Sequence, residues 1–274
     1  MLTLLFAFIA PAVSAWICTA AGYTGYAWAG MFILLGTAAF AGLVLVYIIF
    51  LSICSLFVNP KKPRTSVSPF YHFLLIQTAG LLLCLCGVRV KAEGLEKLPT
   101  GRPFLLVGNH RSNFDPIVAI WALRKYKISF VSKPENLRIP VVGRIIHQCA
   151  FLPIDREDDR RAVVTILAAA EQIRSGACSV GIYPEGTRNR EHTGLLPFKN
   201  GSFKIAQRTG APVVVAAIDG SERIHRRAPL PVHVQFSIAG VIEQPEGARC
   251  GTQDLSRQAR QMLCRALQVE DPGE

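Results

Sequence analysis

Residues 1–60 contain no aspartate, glutamate, lysine or arginine. A second uncharged stretch covers residues 65–88, and Arg89 is the first charge after it. Charged residues make up only 18% of the 274, below the usual quarter for a soluble domain. The deficit sits wholly at the N-terminal end, which excludes a water-exposed domain there. Other absences narrow the chemistry. None of the eight cysteines forms a C-x-x-C, and no pair has zinc-ligand spacing, so they read as small apolar core residues in a reducing compartment. No zinc-finger spacing and no RNA-binding aromatic motif accompanies the net charge of +11, which argues against nucleic acid as the partner. There is no G-x-S-x-G elbow to present a serine nucleophile. No internal repeat and no low-complexity tract occurs.

What remains begins with two apolar runs. Residues 1–21 and 30–58 are separated by a short break carrying Tyr23, Tyr26 and Trp28, aromatics of the kind found at membrane interfaces. A span needs about 20 apolar residues, so both runs qualify. The first lacks the basic leader of a signal peptide and leads straight into the second. The reading is a transmembrane helical hairpin over residues 1–60. Lys61, Lys62 and Arg64 follow the second run and place that side in the cytoplasm by the positive-inside rule. The third apolar segment, residues 70–88, has basic residues beyond both ends and holds His72, Gln77 and Thr78. It is expected to lie in, or dip into, the cytoplasmic leaflet. Residues 61–87 therefore read as a basic linker and an interfacial or re-entrant helix.

From residue 88 the pattern is that of an ordinary globular domain of roughly 185 residues, enough for one sizeable core. Short β-branched runs at residues 88–92, 104–107, 128–131, 150–154, 178–183, 213–218 and 232–238 alternate with helical stretches near 116–124, 141–148, 158–174 and 202–208. That alternation predicts an α/β fold, a mixed central sheet flanked by helices. The 158–174 helix is the clearest. Asp158 and Asp159 open it, Val163, Ile166, Leu167, Ala170 and Ile173 form its apolar stripe, and Gly176 ends it. A closing helix is predicted over 254–268, with Leu255, Met262, Leu263 and Leu267 inward and Arg257, Arg260 and Arg265 outward.

Two motifs carry the chemistry. The run Asn109-His110-Arg111-Ser112-Asn113-Phe114-Asp115 follows an apolar strand and leads into Pro116. Asp115 is a good N-cap and Pro116 suits the first helical position. One Asp115 oxygen could accept the imidazole N–H of His110, leaving the other ring nitrogen to take a proton. Ser112 is read as shaping the loop. A histidine base without a protein nucleophile suits direct attack by a substrate hydroxyl. The second run, Tyr183-Pro184-Glu185-Gly186-Thr187-Arg188, offers a guanidinium fork, a hydroxyl and backbone N–H groups at a glycine turn, all suited to phosphate. Glu185 could fix this loop instead of touching an anion. Arg223, Arg226 and Arg227 beside His225 read as a surface cluster within reach of lipid headgroups.

Taken together these runs resemble the glycerolipid acyltransferases, specifically the 1-acylglycerol-3-phosphate (lysophosphatidic acid) acyltransferases. The family's N-H-x-S-x-x-D is matched by Asn109 to Asp115. Its second block is matched by Lys133, Pro140, Gly143 and Phe151-Leu152-Pro153-Ile154-Asp155-Arg156. Its F-P-E-G-T-R is matched by residues 183–188 with Tyr183 for phenylalanine, continued by Phe198-Lys199-Asn200-Gly201, and its fourth block by Pro212 to Ile218. The resemblance covers residues 88–242 and implies an acyltransferase domain over 88–274. It implies that His110 deprotonates the sn-2 hydroxyl of lysophosphatidic acid with Asp115 as its partner, and that the oxygen attacks the thioester of acyl-CoA or acyl-carrier protein to give phosphatidic acid. Arg188, Thr187, Gly186, Glu185, Lys133 and Arg156 would hold the acceptor phosphate. No metal and no cofactor is implied, only a lysophospholipid, an acyl thioester and the bilayer as partners. The expected location is an integral membrane protein with its catalytic domain on the cytoplasmic face. Alternatives from the same residues are transfer to glycerol-3-phosphate or a lyso-aminolipid, hydrolysis by a His110-activated water, and a non-catalytic lipid-binding protein.

Overall fold

A computed structural model describes residues 2–270 apart from 156–157, 192–193 and 246–248. The chain divides into two compact units, Met1–Asn59 and Pro60–Glu274.

The first unit is two helices, α1 (Leu2–Ala20) and α2 (Gly25–Leu56). Both are long and apolar enough to cross a membrane; at 1.5 Å per residue α2 is about 48 Å long. Helix α2 starts at Gly25, inside the aromatic break. The helices meet through small and aromatic residues. Phe6 and Phe40 make an edge-to-face ring contact at 6.3 Å, and a Cβ on Gly36 would lie 3.5 Å from the Ser14 hydroxyl. Ser14, Thr19, Thr37 and Ser52 each donate to the carbonyl four residues earlier on their own helix. That satisfies the hydroxyls without water, as a hydrocarbon surround demands. Leu4, Phe8, Trp16, Ile33, Leu34 and Val46 point outward.

The second unit begins with α3 (Pro69–Leu85). One face of α3 packs on the α/β body, where Gly80 lets the Trp121 ring approach so closely that a Cβ would meet it at 2.4 Å. The other face shows Phe70, Phe73, Leu82 and Leu85. The order is then β1 (Val88–Glu93), β2 (Leu105–Gly108), α4 (Asp115–Ala122), β3 (Ile128–Ser132), α5 (Pro134–Arg138), α6 (Val142–Gln148), β4 (Leu152–Pro153), α7 (Asp159–Arg174), β5 (Ser179–Ile182), α8 (Lys204–Thr209), β6 (Val213–Asp219), α9 (Ile224–Arg227), β7 (Val232–Ile242) and α10 (Thr252–Leu267). The sheet runs β1-β7-β6-β2-β5-β3-β4. Strands β6, β2, β5, β3 and β4 are parallel, and β7 pairs antiparallel to β6 but parallel to β1. It is the expected mixed α/β sheet flanked by helices.

Alternation along the strands sorts the core. Leu105, Val107, Val131, Val180, Val213 and Val215 face one layer with Ile166, Phe203, Leu255 and Leu263 from the helices. The intervening residues of β2, β3 and β6, among them Leu106, Phe130, Ala216 and Ile218, lie with Ala119 of α4 and Phe236 of β7. Asp158 caps α7, accepting from the backbone N–H of Arg160 and Arg161 at 2.9 and 3.1 Å, and Gly176 ends the helix at φ +72, as the sequence predicts.

Three expectations are corrected. The strand at residues 150–154 shrinks to Leu152–Pro153, because Ala150 takes φ +58 and Pro153 has no N–H to give an edge ladder. Arg260 is not outward: its guanidinium donates to the carbonyls of Leu196 and Leu195 at 2.9 and 3.3 Å and lies over the Phe198 ring. Asp115 does not cap α4; it is the first helical residue, Phe114 holds the cap position, and the carboxylate turns back into the preceding loop. The cysteines are free thiols, and burial pushes the Cys149 thiol up to about 12.

Candidate active site

Because five strands are parallel, the chain leaves β2, β3, β5 and β6 on one edge of the sheet. Loops gathered at the carboxyl ends of parallel strands form the usual binding crevice of such folds. His110 follows β2, Lys133 follows β3, residues 183–188 follow β5 and Ser221 follows β6.

The loop after β2 is organised around one carboxylate. Asp115 is fully buried. Its Oδ2 accepts from the backbone N–H of Arg111 and of Ser112, each at 2.7 Å, and lies 2.8 Å from His110 Nδ1. Its Oδ1 accepts from the Ser221 hydroxyl. An ionised carboxylate is acceptor-only, so in the neutral imidazole the tautomer with the proton on Nδ1 fits this contact and leaves the Nε2 lone pair available. The Ser112 hydroxyl accepts from the Phe114 N–H at 3.2 Å, shaping the turn as expected. The His110 side chain retains 14% exposure, enough for a substrate atom to reach it.

The two motifs meet on the His110 backbone. Its N–H donates to Glu185 Oε1 and its carbonyl accepts from the Asn189 N–H, both at 2.7 Å. The His110 ring stacks on Tyr183 with centroids 4.5 Å apart, and Tyr183 continues onto Phe130 at 6.2 Å. These contacts tie the turn that carries Thr187 and Arg188 to the His110 backbone; Thr187 is exposed and Arg188 half-buried.

Two members of the expected phosphate set have other duties. Glu185 is buried, and its second oxygen accepts from the Leu196 N–H at 3.1 Å. Burial pushes its carboxyl above the ordinary value, against the pull of those two N–H groups. With both oxygens tied to backbone N–H groups, this buried carboxyl organises the loop. The Gly186 N–H already donates to the Tyr183 carbonyl at 3.0 Å. The glycine serves conformation: its φ is +68, a left-handed backbone that strains any L-residue, while the Lys199 side chain 2.9 Å from where a Cβ would sit is flexible enough to move aside. Lys133 is exposed at the start of α5. Arg156 lies outside the described residues.

Several functional positions carried no recognisable role in the sequence. The Asn109 side chain brackets Ile218, donating to its carbonyl and accepting from its N–H, both at 2.8 Å. Arg111 pairs with Asp219 at 2.8 Å. Asn189 and Ser221 lie just past the motif and the strand that the pattern singled out.

A cavity of about 470 Å³ opens on the α7 side of the sheet, within the common range for small-molecule sites, ~300–1,000 Å³. Val131, Ile154, Val163, Ile166, Leu167 and Ile182 line it, it reaches Tyr183 and Gly186, and Lys199, Lys204 and Arg208 stand at its wall. Val163 and Leu167, expected on the buried stripe of α7, are instead the partly exposed lining of this space.

The Tyr183 hydroxyl is buried without a hydrogen-bond partner among the described residues. Burial, with the Asp115 charge second, pushes it well above the usual tyrosine value, so it stays neutral and is no proton acceptor. Tyr183→Phe keeps the ring stack and removes an unsatisfied polar atom, so it should raise stability by about 1 kcal/mol. A higher midpoint of thermal unfolding checks this; a lower one means the hydroxyl has a partner.

A mixed α/β sheet thus carries a buried carboxylate behind a partly exposed imidazole, close to a loop bearing Arg188 and to an apolar cavity, an arrangement chemically suited to proton transfer. The family profile described as Acyltransferase matches residues 89–219. A 1-acyl-sn-glycerol-3-phosphate acyltransferase of Salmonella typhimurium is 30% identical over 173 residues, covering 63% of this chain and 67% of that protein. A chloroplastic 1-acyl-sn-glycerol-3-phosphate acyltransferase of Brassica napus is 35% identical over 156 residues, 57% of this chain and 44% of the relative. The chain thus spans about half the length of this plant relative. The crystal structure of the 1-acyl-sn-glycerophosphate (LPA) acyltransferase PlsC from Thermotoga maritima shares the fold, with a TM-score of 0.62 at 24% identity, covering 83% of this chain and 91% of that one. The chain belongs to the acyltransferase family.

Proposed function

We propose that the protein transfers an acyl chain from an acyl thioester to the sn-2 hydroxyl of lysophosphatidic acid, giving phosphatidic acid. The observation that carries this is the His110 Nδ1–Asp115 pair at 2.8 Å, with no hydrogen bond to the other ring nitrogen among the described residues, on a loop tied to the turn that carries Arg188. His110 Nε2 takes the proton of the acceptor hydroxyl. The oxygen attacks the thioester carbonyl, and the tetrahedral adduct expels the thiol, which leaves with the proton from the imidazolium. Asp115 stabilises the imidazolium while it lasts. Both bond changes are acid–base steps, so the scheme calls for no metal and no redox group. The relatives' names support the lysophospholipid acceptor.

Arg188 and Thr187 hold the phosphate in this reading, with Lys133 and Arg156 contributing charge. The apolar cavity receives the acyl chain, and its lysines lie on the side from which an anionic donor, acyl-CoA or an acyl-carrier protein, would come. The two apolar helices of the first unit fit a bilayer anchor. Lys61, Lys62 and Arg64 favour a cytoplasmic catalytic unit.

Arg188→Ala should raise the Michaelis constant for lysophosphatidic acid about 10- to 100-fold, the worth of a charge-assisted bond, with kcat changed much less. Steady-state kinetics on the purified chain in bilayers tests this, and an unchanged constant removes Arg188 from the role. Side-by-side assays of lysophosphatidic acid, glycerol-3-phosphate and a lyso-aminolipid test the acceptor. Preference for either of the latter two would replace the acceptor named here while leaving the chemistry intact.

A further inference from the structure

Three backbone and ring N–H groups approach Asp115 Oδ2, but among the described residues the other oxygen of this buried carboxylate has a single hydrogen-bond partner, and it comes from a distant part of the chain. Ser221, itself fully buried, donates its hydroxyl proton to Oδ1. Its approach is built in steps along the exit of β6. Asn109 brackets Ile218, Arg111 pairs with Asp219, and Gly220 turns at φ +86. A Cβ on Gly220 would meet the His233 carbonyl oxygen at 2.6 Å, so only glycine lets the chain turn tightly enough to aim Ser221 at the carboxylate. Residues 109, 111 and 115 of the histidine loop are thereby matched in order by 218, 219 and 221.

We propose that Ser221 is a positioning residue for the acyl transfer, fixing the Asp115 carboxylate so that Oδ2 stays aligned with His110 Nδ1. The inference rests on His110 acting as the base. The physical reason is rotation. Three donors converge on Oδ2, and without a fourth on Oδ1 the carboxylate carries an unpartnered charged acceptor in a dry site. It relieves that by turning about its Cβ–Cγ bond or by taking up a proton, and either change weakens its hold on the imidazole. Ser221 is fully buried and contacts the carboxylate oxygen that the imidazole does not, so its loss is expected to act on the chemical step and not on substrate affinity.

Ser221→Ala is expected to lower kcat about 10- to 100-fold with both Michaelis constants within about twofold of wild type. A merely structural role would not move the second readout, the downfield proton resonance of His110 Nδ1–H, which should shift upfield in the variant. Ser221→Cys, whose thiol is a weaker donor, should give intermediate values of both, and it carries the test if the alanine variant does not fold. Wild-type kcat in Ser221→Ala, a raised Michaelis constant at unchanged kcat, or an unmoved His110 resonance would overturn the proposal. Wild-type turnover in His110→Ala removes the base and this inference with it. An inactive His110→Ala beside an unaffected Ser221→Ala removes only the role of Ser221.

Discussion

His110→Ala is expected to lose about 10²- to 10⁴-fold in kcat, the range a positioned general base contributes, or roughly 3–5 kcal/mol of barrier. The fold should survive. With the imidazole gone, Asp115 still accepts from the Arg111 and Ser112 N–H groups and from Ser221, so no buried charge is left unpaired. The histidine backbone, which Glu185 and Asn189 grip, is untouched by the substitution. The check is turnover set against thermal unfolding: an inactive protein with a near-normal midpoint is the expected pair, and normal turnover would refute the base.

The second large effect belongs to Asp115, and here activity and stability should part. Asp115→Ala strips the acceptor from two buried backbone N–H groups and a hydroxyl at once. The loss should be about 3–5 kcal/mol of stability, as for breaking a buried charged cluster, along with most of the turnover. Asp115→Asn behaves differently for a geometric reason. The two N–H groups at 2.7 Å select the amide oxygen for the Oδ2 position, and the amide nitrogen then faces Ser221, whose hydroxyl can rotate to accept. The His110 tautomer is preserved and the charge alone is removed. Asp115→Asn should therefore fold nearly normally and lose about 10²-fold or more in kcat. Chemical denaturation and steady-state kinetics on both variants measure the difference. Equal stability for the two would show that the backbone N–H groups do not depend on the carboxylate.

Much of this was legible in the sequence because it depends on local pattern. Short β-branched runs located β1, β3, β5, β6 and β7 to within a few residues, and Asp158 with Gly176 marked the ends of α7 because capping is a local preference. The histidine–carboxylate pair was legible because both partners sit on one short loop. What failed to show was long-range. Nothing near Arg260 signals that its guanidinium will hold the carbonyls of Leu195 and Leu196. The alternation of α7 does not say that Val163 and Leu167 will line a cavity and not a packed core. Ser221 looks like an ordinary polar residue, and Asn109 has a place in a motif but no role, until the sheet order places β6 beside β2. Asp115 is the instructive case. Its capping preference was correct chemistry for an aspartate before Pro116, yet three donors within the loop and one from Ser221 compete for the same oxygens and win.

The central claim, that a lipid alcohol activated at His110 attacks the thioester directly, is tested most directly by following a labelled acyl group. The purified full chain in bilayers is given labelled acyl thioester with and without lysophosphatidic acid, and the products are separated. Labelled phosphatidic acid should form in step with released thiol when the acceptor is present, with neither labelled fatty acid nor labelled protein accumulating when it is absent. Labelled fatty acid as the main product in both cases, or label held covalently on the protein, would contradict it.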